Sequence, residues 1–327
     1  IAVHERRKVM KILISEYMPE SGINRMRKIA EVEYNPDLWR NKQELINKII
    51  DADALVVRNQ TIVDQEILDA GKKLKVIGRL GVGLDNINLL AAKQRNVKIV
   101  SAKNANSVSV AEYVMAVILT ASRSIIQAGE DVKKGNWNRK LFTGNEIYGK
   151  TLGLIGTGEI GHRLAKRAIA FGMKVIGYDP YIREFDYPFS ETGITKVELA
   201  EVLKESDFVS IHVPLTNETR NLLSTKEFNL MKKNAIIINT SRGGIVDESA
   251  LFKAVESGQI AGAYLDVLEN EPVEKDYFLL NSSKITVTPH IAGLTEESQE
   301  RITNIISDEI MKVLEGKESL FLVSSDF

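Results

Sequence analysis

The chain has 327 residues, 44% apolar and 27% charged, enough for two globular domains with sizeable cores and without a disorder-prone composition. Its 43 lysines and arginines against 44 aspartates and glutamates give a net charge of −1, so neither nucleic acid nor an anionic membrane is expected as a main partner. Zero cysteines exclude disulfides and thiolate chemistry, and four dispersed histidines supply no metal-ligand cluster, so no metal is expected.

No apolar run reaches the roughly 18 to 20 residues of a membrane span, and the start lacks the apolar core of a signal peptide, so the chain reads as soluble and, by default, cytoplasmic. Residues 1–8, IAVHERRK, read as an extension ahead of a first strand beginning near Val9. From there KILISEY, DADALVVRN, KVIGRL and VKIVSA are strand-like runs alternating with helical spacing, the pattern of a parallel α/β sheet. NSVSVAEYVMAVILTASRSIIQAGEDVKKG then keeps a helical period with little turn signal, and reads as one long helix leaving the first unit.

A second series follows: KTLGLIGTG, MKVIGYD, DFVSIHV, NAIIINT, IAGAYLD and KITVTP, six strands of a doubly wound sheet. The last segment opens on a capping threonine and acidic residues, and aligns Ile302, Ile305, Ile306, Ile310 and Val313 on one face of an amphipathic helix. The fold class is therefore α/β with two doubly wound parallel sheets.

Within GLIGTGEIG, the glycines Gly156, Gly158 and Gly161 stand between a strand and a helix, and Asp179 lies 18 residues past the third, at the next strand's end. This is the dinucleotide fingerprint. The glycines permit a tight turn, a close approach of backbone to pyrophosphate and close helix packing, and the helix N-terminus, with Glu159 and Ile160, offers N–H groups. Asp179 suits a ribose diol and repels a 2′-phosphate, favouring NAD over NADP. Glu159 is an awkward neighbour for a phosphate.

Arg242, Asp266 with Glu269 and Glu271, and His290 each follow an apolar strand, at the carboxyl edge where ligands of such sheets bind. Taken alone, each also reads as a loop cap, a solvated carboxylate or a locally bonded histidine, and periodicity does not bring Glu271 to His290.

GRLGVGLDNIN, NSVSVAEYV, GKTLGLIGTGEIG, YDP, HVPLTNET, NTSRGGIVDE, LDVLENEP and TPHIAG fall in the order and spacing of one family. On these residues the chain resembles the D-isomer-specific 2-hydroxyacid dehydrogenases. The resemblance implies a flavodoxin-like substrate domain from both chain ends, residues 9–104 and 296–327, and an inserted Rossmann domain, 105–295, with the active site between them. It implies His290 as general base, Glu271 as the group that orients the imidazole and raises its pKa, and Arg242 as a two-pronged cation for the C2 oxygen and carboxylate.

The same match puts Val110, His212, Val213, Pro214, Thr216, Thr219, Thr240, Ser241, Asp266, His290 and Gly293 around NAD, with Asp266 and the Thr240 main chain holding the nicotinamide carboxamide. Gly81, Val82 and Gly83 would offer N–H groups to the substrate carboxylate. Arg58, Asn59, Arg79, Asn106 and Arg139 are the further substrate candidates, and GNWNRKLFTGNEIYGKTLG resembles the corresponding segment of phosphoglycerate dehydrogenases. Several cations suggest a second anion on the substrate, so 3-phosphoglycerate leads, ahead of 3-sulfolactate, hydroxypyruvate and glyoxylate. Arg139 on a solvated hairpin and Arg58 paired with an acid is the bland alternative.

The chain ends about a dozen residues after the last helix, which suggests no serine feedback through an appended domain. A homodimer or homotetramer is implied. An NAD-sensing corepressor shares this fold and these residues, and is the reading from a different functional class.

Overall fold

The computed structural model describes residues 9–323, and the short N-terminal extension lies outside them. The chain forms two compact units, one built from the chain up to Asn106 together with the segment from Leu294 on, the other from Ser107–Gly293.

In the first unit, strands β1 (Met10–Ile14), β2 (Ala30–Tyr34), β3 (Ala54–Val57), β4 (Val76–Arg79) and β5 (Lys98–Ser101) pair in parallel in the order β2-β1-β3-β4-β5. That is the flavodoxin-like order. The sequence reading lacked β2, because AEVEY sits on the sheet edge, only part-buried, and alternates acid with apolar residues instead of forming an apolar run. The register aligns Val57 with Arg79, so the two central strands end side by side.

The helix Glu296–Leu314 closes this unit. Thr295 Oγ1 accepts the Ser298 N–H at 3.1 Å as its cap, and Ile302, Ile306, Ile310 and Val313 are buried, while Ile305 lies at the rim of the same core. A Cβ on Gly78 would stand 2.3 Å from Ile310 Cδ1, so the glycine lets this helix lie directly on β4. Truncating Ile306 or Ile310 to alanine should therefore cost about 2–5 kcal/mol. Past the helix, Val323 N–H donates to the Ile99 carbonyl at 2.9 Å, so the tail up to Val323 packs beside β5.

In the second unit, strands β6 (Thr151–Ile155), β7 (Lys174–Tyr178), β8 (Thr195–Lys196), β9 (Phe208–Ile211), β10 (Ile236–Asn239), β11 (Gly262–Leu265) and β12 (Ile285–Val287) form a parallel sheet in the order β12-β11-β10-β9-β6-β7-β8. The order reverses between β6 and β9, the crevice position of a doubly wound sheet. The sheet has seven strands, not six, since the two-residue edge strand β8 is too short to leave a periodic signal.

The single long helix is also corrected: it is two, Ser107–Ser122 and Ile125–Lys133, bent by 55°. The Ser122 carbonyl, which a continuing helix would offer to residue 126, instead accepts the Asn145 N–H at 3.0 Å, and the Ser122 hydroxyl donates back to the Ile118 carbonyl at 2.8 Å. Gly144 makes that approach possible, for a Cβ there would lie 2.5 Å from the Ser122 carbonyl oxygen. No single described helix is long and apolar enough to cross a membrane.

Candidate active site

In the second unit β6 runs into the glycine turn. Gly156 has φ +92°, and a Cβ there would lie 2.5 Å from the His212 carbonyl oxygen; Gly161 faces the Gly156 carbonyl at 2.6 Å in the same way. Both must be glycine. A Cβ on Gly158 would meet nothing within 4 Å, which leaves open space at the N-terminus of the helix Glu159–Ala170. Glu159 turns back along its own helix onto Arg163, away from any phosphate at that end.

Asp179 is buried at the end of β7. Its Oδ2 accepts the Thr157 N–H at 3.0 Å and the Thr157 hydroxyl at 3.4 Å, while Oδ1 accepts the N–H groups of Tyr181 and Ile182 at 3.0 and 3.2 Å. The carboxylate thus ties the glycine turn to the loop after β7. His212 follows β9, with Nε2 2.9 Å from the Ser210 hydroxyl, and burial pushes its imidazole down to about 3, so it is neutral. His212 Nδ1 and Thr240 Oγ1 are buried with no hydrogen-bond partner among the described residues. Two orphaned polar atoms at the carboxyl edge of the sheet that carries the open glycine turn fit a bound dinucleotide, whose polar edges would satisfy them.

Val110 is buried on its helix, whereas Val213, Pro214, Thr216 and Thr219 form the loop after His212. Thr219 Oγ1 there accepts the Thr216 N–H at 2.7 Å and donates to the Pro214 carbonyl at 2.6 Å. After β10, the buried Asn239 stitches the next turn: its Oδ1 accepts from the Ser241 N–H and hydroxyl, and its Nδ2 donates to the Arg242 carbonyl at 2.9 Å. The sequence reading passed over Asn239, although a lone asparagine ending an apolar strand was a usable signal.

Beyond β11 and β12 the structure joins what periodicity left apart. His290 Nδ1 lies 2.9 Å from Glu271 Oε2, and Glu271 Oε1 accepts the Leu268 N–H at 2.9 Å. Burial pushes the Glu271 carboxyl up, but the His290 hydrogen bond, the Leu268 N–H and the charges of His290 and Arg242 outweigh it and hold the carboxyl below its ordinary value. With Nδ1–H directed at a carboxylate, Nε2 is left as the acceptor.

His290 itself has φ +55°, rare for a side chain-bearing residue. Asp266 sustains that conformation. Its carbonyl accepts the His290 N–H at 2.9 Å, and its buried carboxylate accepts the Ile291 and Ala292 N–H groups at 2.8 and 2.7 Å and the Thr288 hydroxyl at 2.7 Å. Tyr113 is within 2.6 Å of the same Thr288 hydroxyl. The carboxylate of Asp266, expected to serve the nicotinamide carboxamide, thus also holds the turn bearing His290, and Gly293 lies in the turn that follows.

Arg139 is exposed on the loop after the helix Ile125–Lys133, its own N–H on the Trp137 carbonyl, and forms no hydrogen bond to these groups among the described residues.

The first unit gathers a second set at its own carboxyl edge. Glu16, buried just past β1, accepts the N–H groups of Arg58, Gln60 and Thr61 at 2.7, 3.0 and 2.9 Å. The Arg58 guanidinium contacts Gln299 Oε1 at 2.5 Å, so its side-chain hydrogen bond goes to an amide and not to an acid; burial draws its pKa down against the charges of Glu16 and Tyr17. Asn59 is exposed beside it, and Asn106 is half-buried at the end of this unit's first segment. Arg79 folds over the glycine turn, where a Cβ on Gly81 would strike its Nη1. The Gly81 N–H is committed to the Arg79 carbonyl at 2.8 Å, and the Ser101 hydroxyl holds the carbonyls of Gly81 and Val82 at 3.1 and 3.2 Å; Gly83 follows.

Known proteins resemble the chain in sequence and in fold. Residues 115–292, more than half of the chain, match the model of the D-isomer specific 2-hydroxyacid dehydrogenase NAD binding domain. The chain is 46% identical over 310 residues to a D-3-phosphoglycerate dehydrogenase of Methanocaldococcus jannaschii, covering 94% of this chain and 58% of that one. It is 44% identical over 275 residues to a hydroxypyruvate reductase of Thermotoga maritima, covering 84% of this chain and 88% of the relative. A glyoxylate reductase structure from Paecilomyes thermophila superposes with a TM-score of 0.85 at 29% identity, covering 98% and 99% of the two chains. The chain spans little more than half the length of the phosphoglycerate dehydrogenases it matches first.

Proposed function

The chain belongs to the D-isomer specific 2-hydroxyacid dehydrogenase family, and from that premise we propose that it moves hydride between C2 of a 2-hydroxy acid and NAD, with 3-phosphoglycerate as the leading substrate. The product is then 3-phosphohydroxypyruvate, the carbon skeleton for serine, made in the cytoplasm. The observation that supports this most is the His290–Glu271 pair at 2.9 Å on a turn fixed by Asp266.

Bound NAD supplies the hydride acceptor. His290 Nε2 takes the proton of the C2 hydroxyl as hydride leaves C2, and Glu271 stabilises the imidazolium that results. Arg242 holds the C2 oxygen and the carboxylate, favouring the polarised carbonyl. Val82 and Gly83 offer N–H groups to the carboxylate, Gly81 having committed its own. Asp179 reads the ribose diol by displacing its longest bond, the 3.4 Å one from Thr157.

Arg58 and Arg79, at adjacent strand ends, read the distal anion. Initial rates of NADH production or consumption with 3-phosphoglycerate, 3-sulfolactate, D-glycerate, D-lactate and their keto acids test the assignment. A preference for the phosphorylated acid that disappears in Arg58→Ala is the expected result. Equal rates with and without a distal anion overturn it in favour of hydroxypyruvate or glyoxylate reduction, the second reading that the Thermotoga maritima and Paecilomyes thermophila enzymes support.

The same reading makes the protein a homo-oligomer. The helix Ile125–Lys133 buries none of its residues, and its Ile125 and Ile126, with Trp137, Leu141 and Tyr148 in the segment after it, all lie more than two-thirds exposed, apolar surface for a second copy to cover. Light scattering of Ile126→Glu should then report the monomer mass where the parent protein reports a multiple of it.

A further inference from the structure

We propose that Glu248 is a positioning residue for the proton transfer, an inference that rests on His290 as base: it anchors the Leu268–Glu271 loop so that Glu271 meets the imidazole. Glu248 opens the helix Glu248–Glu256, directly after its cap Asp247, whose own carboxylate is occupied by the Ala250 N–H and the Ser224 hydroxyl. Its carboxylate oxygens bond outside the helix. It is buried, with Oε1 accepting the Glu269 N–H at 2.7 Å and Oε2 accepting the Tyr277 hydroxyl.

The other side of the loop is fixed too. A Cβ on Gly243 would lie 2.0 Å from the Leu268 carbonyl oxygen and 2.4 Å from the Glu269 nitrogen, so the residue after Arg242 is pressed onto the very peptide that Glu248 holds. The loop is thus clamped between the arginine turn and a buried carboxylate. Two residues on, Glu271 closes it with the Leu268 N–H and reaches His290. Tyr277 keeps its proton firmly, because burial and the carboxylate both push the phenol up, and that locks the far side of Glu248.

A carboxylate that merely stabilised the helix would leave the imidazole untouched. One that positions Glu271 controls which ring nitrogen of His290 carries the proton. The tautomer is therefore the readout, taken from long-range proton–nitrogen spectra in which His290→Gln identifies the resonance among four histidines.

The parent protein and Glu248→Gln should show the Nδ1–H form, since glutamine can accept from Glu269 and donate to Tyr277. Glu248→Ala and Glu271→Gln should both show a mixture of tautomers. Turnover in Glu248→Ala should fall about 10- to 100-fold, the scale of a misplaced catalytic group, at unchanged NAD affinity. Adding Glu248→Ala to Glu271→Gln should cost nothing more.

A wild-type tautomer in Glu248→Ala, or losses that add in the double variant, overturn the proposal. If the alanine variant does not fold, Glu248→Asp keeps the charge on a shorter arm and must give the same mixture. Should Glu271→Gln retain full turnover, the reading of the histidine pair fails; should it slow while Glu248→Ala does not, only the role of Glu248 fails.

Discussion

Two turns in this molecule are built alike and present different chemistry. In the second unit the carboxylate of buried Asp266 accepts three donors from the 288–292 turn and presents His290. In the first unit the carboxylate of buried Glu16 accepts three donors from the 58–61 turn and presents Arg58. The difference lies beyond the anchor. His290 keeps about half of its side-chain surface in solvent and faces a carboxylate, as a group that must both take and release a proton requires. Arg58 is half-buried and faces an amide, so no carboxylate side chain competes for the guanidinium, and it stays charged even though burial draws its pKa down. A buried carboxylate therefore fixes a turn, and the environment of the presented side chain sets what the turn does.

The largest effect should come from removing the presented proton acceptor. His290→Gln should lower turnover about 10²- to 10⁴-fold, with NAD still bound by fluorescence titration. A loss of turnover fully explained by lost NAD binding would leave His290 a cofactor contact and no base, and would end the comparison. Next comes the anchor. Asp266→Ala strips three donors of their acceptor, at about 1–3 kcal/mol for each one left unsatisfied, so the thermal midpoint of the NAD-free protein should fall together with its turnover. If Asp266 only held nicotinamide, the NAD-free midpoint would not move.

In the first unit the same operation should change binding instead of turnover. Arg58→Ala removes one charge-assisted contact, about 1.5–3 kcal/mol, and should raise KM for 3-phosphoglycerate roughly 10- to 100-fold while leaving D-glycerate almost unaffected. Glu16→Gln should do the same more weakly, since the amide oxygen can still accept some of the turn's N–H groups.

How much of this the sequence carried follows from the distances along the chain. The alternation of strands and helices and the terminal helix were legible because each rests on local periodicity, and Gly156 and Gly161 because each meets a close backbone approach that only glycine allows. The anchors were not. Glu16 reaches Arg58 across 42 positions, Glu248 reaches Glu269 across 21 and Tyr113 reaches Thr288 across 175, pairings that only the folded sheet creates. The break at Ser122 was hidden for the same reason: serine tolerates a helix, and the N–H that captures its carbonyl comes from Asn145. Asp266 could be read as a site residue but not as the support of His290, because an acid at a strand end looks the same whether it faces a ligand or a turn.

The smallest effect is a pH dependence, and it separates the two turns most cleanly. Glu271 is held below its ordinary 4.5 even though burial pushes it up, because the His290 hydrogen bond and the Leu268 N–H favour the charged form. A carboxyl whose folded pKa lies below its unfolded one stabilises the protein above the unfolded value, and that contribution is lost as pH falls through the folded value. The relevant window is therefore pH 4.5 downward. Because the side chain remains more than a third exposed, solvent screens the effect and it should be small. Thermal midpoints of the parent protein and Glu271→Gln should differ at pH 6 and converge below pH 4.5. The gap between the parent protein and Arg58→Ala should not close across that range, since a guanidinium does not titrate there. A Glu271 gap that did not narrow as pH fell below 4.5 would mean that the pair is held by packing and not by charge, and the contrast between a proton-transferring turn and an anion-holding turn would lose its electrostatic basis.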